Sequence, residues 1–333
     1  MSGTAPPDII HTASLSDVGM VRARNEDYCG EFRRNDGCRL LVMADGMGGH
    51  QDGATASRTA VETIGEIFEG SDENCEALLH DAVAIANQRV YGKALESDAL
   101  RGMGTTVVVL LLTTDGSGWI AHVGDSRGYR LRRGGMEALT ADHSVVGEML
   151  RQGLITSEEA EVHPRRHEIT RSVGIEAEVE PEITQISVQP GDRFLLCSDG
   201  LTGQLNDEEI ALTLLAESPS EAVRSLVNEA NARGGGDNIS VQIALIGEIE
   251  PTVAGVEGTA AEPSGGDVPG EEERRQRVRQ IAKLAALVAG LLAAALLALV
   301  FSGGLNAEPF RQGEAIESFE GPGQMRADRD NPR

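Results

Sequence analysis

Residues Leu40 to His50 read Leu-Leu-Val-Met-Ala-Asp-Gly-Met-Gly-Gly-His, and the rest of the chain is organised around this stretch. An apolar run that stops at Asp45-Gly46 reads as a buried strand delivering one carboxylate and one bare backbone carbonyl to its open end. A carboxylate so placed points to a metal site. The pattern recurs where Arg193 to Gly200, Arg-Phe-Leu-Leu-Cys-Ser-Asp-Gly, ends a second apolar run in Asp199-Gly200. Asp125 follows the run Trp119 to Gly124, Asp237 precedes the run Asn238 to Ile246, and Glu26 and Asp27 close the segment that begins at Val21. A single Asp-Gly pair is ordinary turn chemistry and needs no metal. Acids from five separate segments, each placed at a strand end, predict one shared centre.

Seven blocks then stand in order: Val21-Arg22-x-x-Asn25-Glu26-Asp27, Ala44 to His50, Gly104-Thr105-Thr106, Val123 to Arg127, Leu139-Thr140-x-Asp142-His143-Ser144, Cys197 to Leu201, and Gly236 to Ser240. In this order they resemble the metal-dependent Ser/Thr protein phosphatases of the PP2C (PPM) family, bacterial branch. The resemblance spans residues ~14 to ~246, the scale of one large domain. It implies an α+β fold, a four-layer α-β-β-α sandwich of two antiparallel sheets flanked by helices.

The resemblance also implies roles. Asp45 bridges two metal ions, Gly46 adds its carbonyl, Asp199 and Asp237 hold one ion, and Glu26 and Asp27 bind or orient the waters of the other. Asp125 with Asp199 matches a third, weaker ion site in bacterial relatives. Oxygen-only ligands suit Mg²⁺ or Mn²⁺ rather than zinc, and do not choose between the two. A hydroxide bridging the two ions would attack phosphorus directly, with transfer to water. Arg22 aligns with the family's phosphate-binding arginine, with Arg24, on the same face of a strand, as the alternate. Eukaryotic relatives carry a proposed general-acid histidine directly after the Asp-Gly pair, where this chain has Met47. His50, Asp142 and His143 read as structural, and leaving-group protonation falls to metal-bound water.

Composition bounds the alternatives. The chain has 333 residues, 40% of them hydrophobic, enough for a substantial core. A formal charge of -24 argues against a nucleic-acid binder and, for an anionic substrate, demands local metal or arginine charge. Cys29, Cys38, Cys75 and Cys197 show no Cys-x-x-Cys spacing and no Cys-x5-Arg signature, so reduced thiols are expected and a phosphocysteine route is not. Met1 to Ile10 lacks the basic and apolar regions of a signal peptide.

Residues 1–10 read as a flexible lead and 11–247 as the phosphatase-like domain. Helical stripes are expected over Thr55 to Phe68 and Cys75 to Glu96, as an antiparallel pair over a sheet. Strands over Thr105 to Thr113, Gly118 to Val123 and Gly128 to Arg132 predict a meander. Short helices fill Ser144 to Gly174, which also holds His163, Arg165, Arg166, His167 and Arg171; by the resemblance this is a mobile flap beside the site. Helices at Asp207 to Glu217 and Ser220 to Arg233 lead to a last strand over Ile239 to Ile246.

Residues 248–280 read as a disordered linker, acidic and then basic. Leu284 to Phe301 carries no charge, and 281–301 is long enough to span a ~30 Å hydrocarbon core. Arg274, Arg275, Arg277, Arg279 and Lys283 precede it, so the expectation is a single-pass cell-membrane anchor with the N-terminal domain cytoplasmic. Residues 302–333 read as a short disordered tail. The function expected is hydrolysis of phosphoserine and phosphothreonine on proteins, opposing a Ser/Thr kinase. A catalytically weak phosphoprotein adaptor and a small-molecule phosphate-ester hydrolase are the alternatives.

Overall fold

The structure is a computed structural model that describes residues 10–48, 52–71 and 75–247. In chain order come β1 (Ile10–Asp17), β2 (Asp27–Arg33), β3 (Arg39–Met47), α1 (Asp52–Gly70), α2 (Cys75–Glu96), β4 (Gly104–Thr105), β5 (Val107–Leu112) and β6 (Ser117–Val123). There follow β7 (Arg127–Arg132), β8 (Gly135–Ala138), α3 (Val145–Arg151), α4 (Ser157–Glu161), β9 (Glu182–Ser187) and β10 (Arg193–Cys197). The last are α5 (Asp199–Thr202), α6 (Asp207–Ala216), α7 (Pro219–Ala232) and β11 (Ile239–Ile246).

Two antiparallel sheets carry the domain, one in the order β1-β11-β10-β7-β8 and the other β2-β3-β5-β6-β9 with β4 paired to β3. The apolar run that opened the sequence reading is explained by two-sided burial. Along β3, Leu40, Val42 and Ala44 pack with α1 and α2, while Leu41 and Met43 point to the space between the sheets. On β5, Val107, Val109 and Leu111 turn to the helices, and Val108, Leu110 and Leu112 to the other sheet. The second sheet behaves alike: Leu195 and Cys197 of β10 face the α5–α7 side, and Phe194 and Leu196 face inward. A strand covered on both faces gains from an apolar residue at every position, so the period of two disappears from the sequence. The result is the expected α-β-β-α layering.

The two long helices match their expected stripes. Ala56, Ala60, Ile64 and Phe68 of α1 are buried with Leu78, Leu79, Ala82, Val83, Ala86 and Val90 of α2. Helix α4 starts on a capping box, Thr156 Oγ1 accepting from Glu159 N–H at 3.3 Å while the Glu159 carboxylate accepts from Thr156 N–H at 2.9 Å.

Two expectations are corrected. The meander breaks after β6: β5 and β6 pair in one sheet, but β7 lies in the other, so Gly124-Asp125-Ser126 is a crossing between sheets. The strand expected over Thr105 to Thr113 is interrupted at Thr106, because its side chain replaces a ladder partner: Asp45 N–H donates to Thr106 Oγ1 at 3.0 Å and Thr106 N–H donates to the Asp45 carbonyl at 2.9 Å. Strand β8, largely exposed and without an apolar run, gave no signal in the sequence.

Among the described residues no helix is long and apolar enough to cross a membrane. Of the lead expected over residues 1–10, Ile10 instead begins β1; the rest of it, His50, the linker over 248–280, the span over 281–301 and the tail over 302–333 lie outside the described residues.

Candidate metal centre

The two acids of the opening stretches meet by strand pairing. Asp27 begins β2 and sits directly opposite Asp45 in the antiparallel register with β3, which sets their Cα atoms about 4.5–5.5 Å apart. Asp199 is the first residue of α5, at the end of β10, where Ser198 leaves the strand in an extended conformation. Ser198 Oγ donates to Asp27 Oδ2 at 2.8 Å and accepts from Ser240 N–H at 3.0 Å, so one hydroxyl ties Asp27 of one sheet to β11 of the other. Asp237 precedes β11, and its Oδ2 pairs with Arg22 Nη2 at 2.7 Å.

Close backbone approach makes the juxtaposition possible. A Cβ on Gly46 would fall 2.2 Å from the Gly53 carbonyl oxygen and 2.6 Å from that of Glu26. Gly46 N–H donates to the Glu26 carbonyl at 3.2 Å, and Ser57 Oγ of α1 donates to the same carbonyl at 2.6 Å. Thus α1, β3 and the segment carrying Glu26 are clamped at one point.

The electrostatics show what the cluster lacks. Burial first, then Asp199 and Asp237, raise Asp27 to about 6 against the hydrogen bonds of Ser240 and Ser198. Burial and the surrounding Asp27, Asp199, Asp125 and Asp237 carboxylates push Asp45 well above the usual carboxylate range. Asp199 is raised by burial and by Asp237, and Asp125 to about 7 by burial, Asp199 and Asp142. Asp27 Oδ1 and Asp199 Oδ1 are buried with no hydrogen-bond donor among the described residues. Buried acceptors left unpaired beside mutually repelling acids are costly unless a cation takes them. The oxygen-rich donor set therefore fits hard divalent ions.

Five of the six acids named from the sequence come together, and the sixth, Glu26, is held beside them by its backbone. Asp27, Asp45, Asp199, Asp237 and Asp125 act on one another electrically, and Glu26 and Gly46 join them through the clamp. Arg22 lies at the rim on Asp237; the Arg24 carbonyl accepts from Asn238 Nδ2 at 2.9 Å. His167 of the flap segment acts on Asp199 and lowers its pKa, so that segment borders the site. Asp142 forms a two-pronged ion pair with Arg127, at 2.9 and 2.7 Å.

Sequence reasoning missed the holders: Ser198, Thr106 and Asn238. A second cluster, His122, His143 and Glu182, offers ligand atoms within 4.8 Å of one another, and His143 Nδ1 accepts from the N–H of Gly124, the residue before Asp125.

Buried acids gathered from both sheets, with Arg22 beside them, make a site suited to handling an anion with the help of divalent ions. The profile of the family described as Protein phosphatase 2C matches residues 21–233, and the chain belongs to that family. Among its relatives, protein phosphatase PhpP of Streptococcus pneumoniae is 38% identical over 70% of this chain and 96% of its own. The serine/threonine protein phosphatase PstP of Mycobacterium tuberculosis is 37% identical over 74% of this chain and 48% of its own length. The crystal structure of the M. tuberculosis phosphatase PstP/Ppp superposes with a TM-score of 0.67 at 36% identity, covering 72% of this chain and 99% of that one. The PstP catalytic domain in complex with two manganese ions gives 0.64 at 35% identity, covering 72% and 99%.

Proposed function

We propose that Asp27, Asp45, Asp199 and Asp237, with Glu26 and the Gly46 carbonyl, hold two Mg²⁺ or Mn²⁺ ions, and that Asp125 with Asp199 serves a third, weaker one. The chain is a metal-dependent protein serine/threonine phosphatase, and its substrates are phosphoserine and phosphothreonine on proteins. The observation that carries the ligand assignment is the pair of orphaned oxygens, Asp27 Oδ1 and Asp199 Oδ1, beside Asp45, with burial and neighbouring charge raising all three of these acids. Divalent ions bound there supply an activated water and positive charge for the phosphoryl oxygens.

The remaining work falls to the chain's own groups. Arg22 presents a planar fork suited to a phosphate monoester, and its partner in the absence of one is Asp237 at 2.7 Å. A cation held by Asp237 would compete for that carboxylate and leave the Arg22 guanidinium available to phosphate. Ser198 fixes Asp27 through Oδ2, which leaves Oδ1 buried without a hydrogen-bond partner among the described residues and available to a cation. The basic flap residues bring positive charge to an acidic surface, which favours approach of a phosphopeptide.

Phosphate release from a phosphothreonine peptide by the full chain, in Mn²⁺, Mg²⁺ or chelator, tests this reading. Asp199→Asn is expected to lower turnover at least 100-fold, by analogy with loss of a principal charge-stabilising group, while preserving the fold. Turnover that survives both chelation and Asp199→Asn would overturn the ligand assignment.

The run over 281–301 supports a tether that holds the catalytic domain at the cytoplasmic face of the cell membrane, where it opposes a Ser/Thr kinase. The full chain should partition with membranes and a chain ending at Gly247 should not; equal partitioning removes the tether.

A further inference from the structure

The buried imidazole pair has chemistry of its own. His122, on β6, and His143, before α3, are each 2% exposed and stack with ring centroids 4.5 Å apart at 18°. His122 Nε2 lies 2.9 Å from the Ala141 carbonyl, an acceptor, so this nitrogen carries its proton. His143 Nδ1 accepts from Gly124 N–H at 3.2 Å, and His143 Nε2 lies 3.4 Å from Glu182 Oε2. Both neighbours of His143 require the same tautomer, with Nδ1 bare and the proton on Nε2.

That tautomer excludes the first use the cluster suggests. A cation shared by His122, His143 and Glu182 would need the Nε2 lone pair of His143. Neutral imidazole would then carry its proton on Nδ1, against the Gly124 N–H that points at it. Two donors would face each other in a buried site, an arrangement that costs far more than a surface ligand returns. Burial and the adjacent ring hold His143 down at about 4, consistent with a ring that stays neutral.

The contacts of His143 instead join three parts of the site. Its own N–H donates to the Gly124 carbonyl at 3.0 Å, so residue 124 is gripped through both backbone groups, immediately before Asp125. Its carbonyl accepts from Thr170 N–H at 2.7 Å, and Ser144 bridges to Ile169, where the flap segment returns. Three residues further on, Val173 pairs with Thr105, whose Oγ1 donates to the Asp45 carbonyl at 2.8 Å. The flap ends are thus fastened to the carriers of Asp125 and Asp45.

We propose that His143 is a positioning residue that sets the Asp125 turn through Nδ1 and, through the same residue's backbone, fixes the flap segment 145–172 against that turn. The consequence for metal binding rests on the assignment of Asp125 to the weaker ion.

Two amides separate this from mere packing. In His143→Asn the Oδ1 atom branches from Cγ as Nδ1 does and can accept the Gly124 N–H. In His143→Gln the polar atoms sit one bond further out, near Nε2, and leave Gly124 without its acceptor. Hydrogen–deuterium exchange of the full chain, read on peptides that cover Gly124 and Thr170, is the deciding measurement. His143→Asn should stay within about twofold of wild type, and His143→Gln should exchange roughly fivefold faster at Gly124, the loss of one net hydrogen bond. Calorimetric Mn²⁺ titration should show the weaker sites of His143→Gln weakened by a similar factor, with the tighter sites unchanged. Equal behaviour of the two variants, in either direction, or the reverse ordering, would overturn the proposal. Faster exchange with Mn²⁺ binding intact would remove the link to Asp125. Because exchange is read without substrate, a failed phosphatase assay leaves this result standing, and the two readings fail separately.

Discussion

The Asn238 carboxamide is engaged at both ends. Its Oδ1 accepts from Glu26 N–H at 2.8 Å, and Nδ2 donates to the carbonyls of Val18 and Arg24, both at 2.9 Å. The residue is 5% exposed, so each of these backbone groups depends on it rather than on water. Its own N–H turns to Asp237 Oδ1 at 2.8 Å, which aims that carboxylate. One side chain therefore hangs the loop carrying Arg22, Arg24 and Glu26 from the turn that holds Asp237 ahead of β11. Asn238→Ala should destabilise the fold by about 2–3 kcal/mol in urea denaturation, the cost of stranding buried polar groups. Asn238→Asp keeps the acceptor for Glu26 but sets a charge against two carbonyls beside Asp237, and should weaken divalent-ion binding in calorimetry beyond its effect on stability. Equal metal affinity in wild type and Asn238→Asp would show that the loop finds its place without this residue.

At the scale of elements, the difference between what the sequence revealed and what it hid has a physical origin. Asp45 and Asp199 were legible because two-sided burial forces an unbroken apolar run on β3 and β10, and a carboxylate can stand only where the run ends. The α1 and α2 stripes were legible for the related reason that one helix face alone is covered. Sheet membership was not. A three-residue link such as Gly124-Asp125-Ser126 looks like a hairpin turn, yet β6 and β7 pair in different sheets, and only the positive φ of Gly124, +107°, packed on Thr106, permits the crossing. Nor could the holders of the acids be read. Ser198 reaches Asp27 across 171 positions and Asn238 reaches Glu26 across 212, separations at which local patterning carries no signal. The break at Thr106 was hidden because threonine suits a strand as well as the side-chain bond that interrupts one.

For the whole molecule, the acids and the histidine pair pull stability in opposite directions with pH. Asp27 at about 6 and Asp125 at about 7, with Asp45 and Asp199 also raised, bind more protons folded than unfolded above the ordinary carboxylate value of about 3.9. Their contribution is complete below about pH 4 and is lost as pH rises through the folded values, near 6 for Asp27 and near 7 for Asp125. His143 at about 4, with His122 also lowered by burial, binds fewer protons folded than unfolded, so its contribution is lost as pH falls from about 6.5 to about 4. The groups facing the pair are Glu182, Asp142, Arg151 and Arg171. Four raised acids oppose two lowered imidazoles, so metal-free protein should lose stability as pH rises from about 4.5 to about 7. Saturating Mg²⁺ exchanges the acids' protons for cations and removes their slope, leaving that of the imidazoles and of metal binding itself, which rises with pH. The urea midpoint should therefore fall with pH in stripped protein and climb with pH in Mg²⁺. Trp119, the single tryptophan, sits partly buried against the helix-side core of β6 and reports the transition by fluorescence. A midpoint that climbs with pH in both conditions would mean that the acids are already ionised and compensated without metal, and that the orphaned oxygens of Asp27 and Asp199 are not what calls cations to the site.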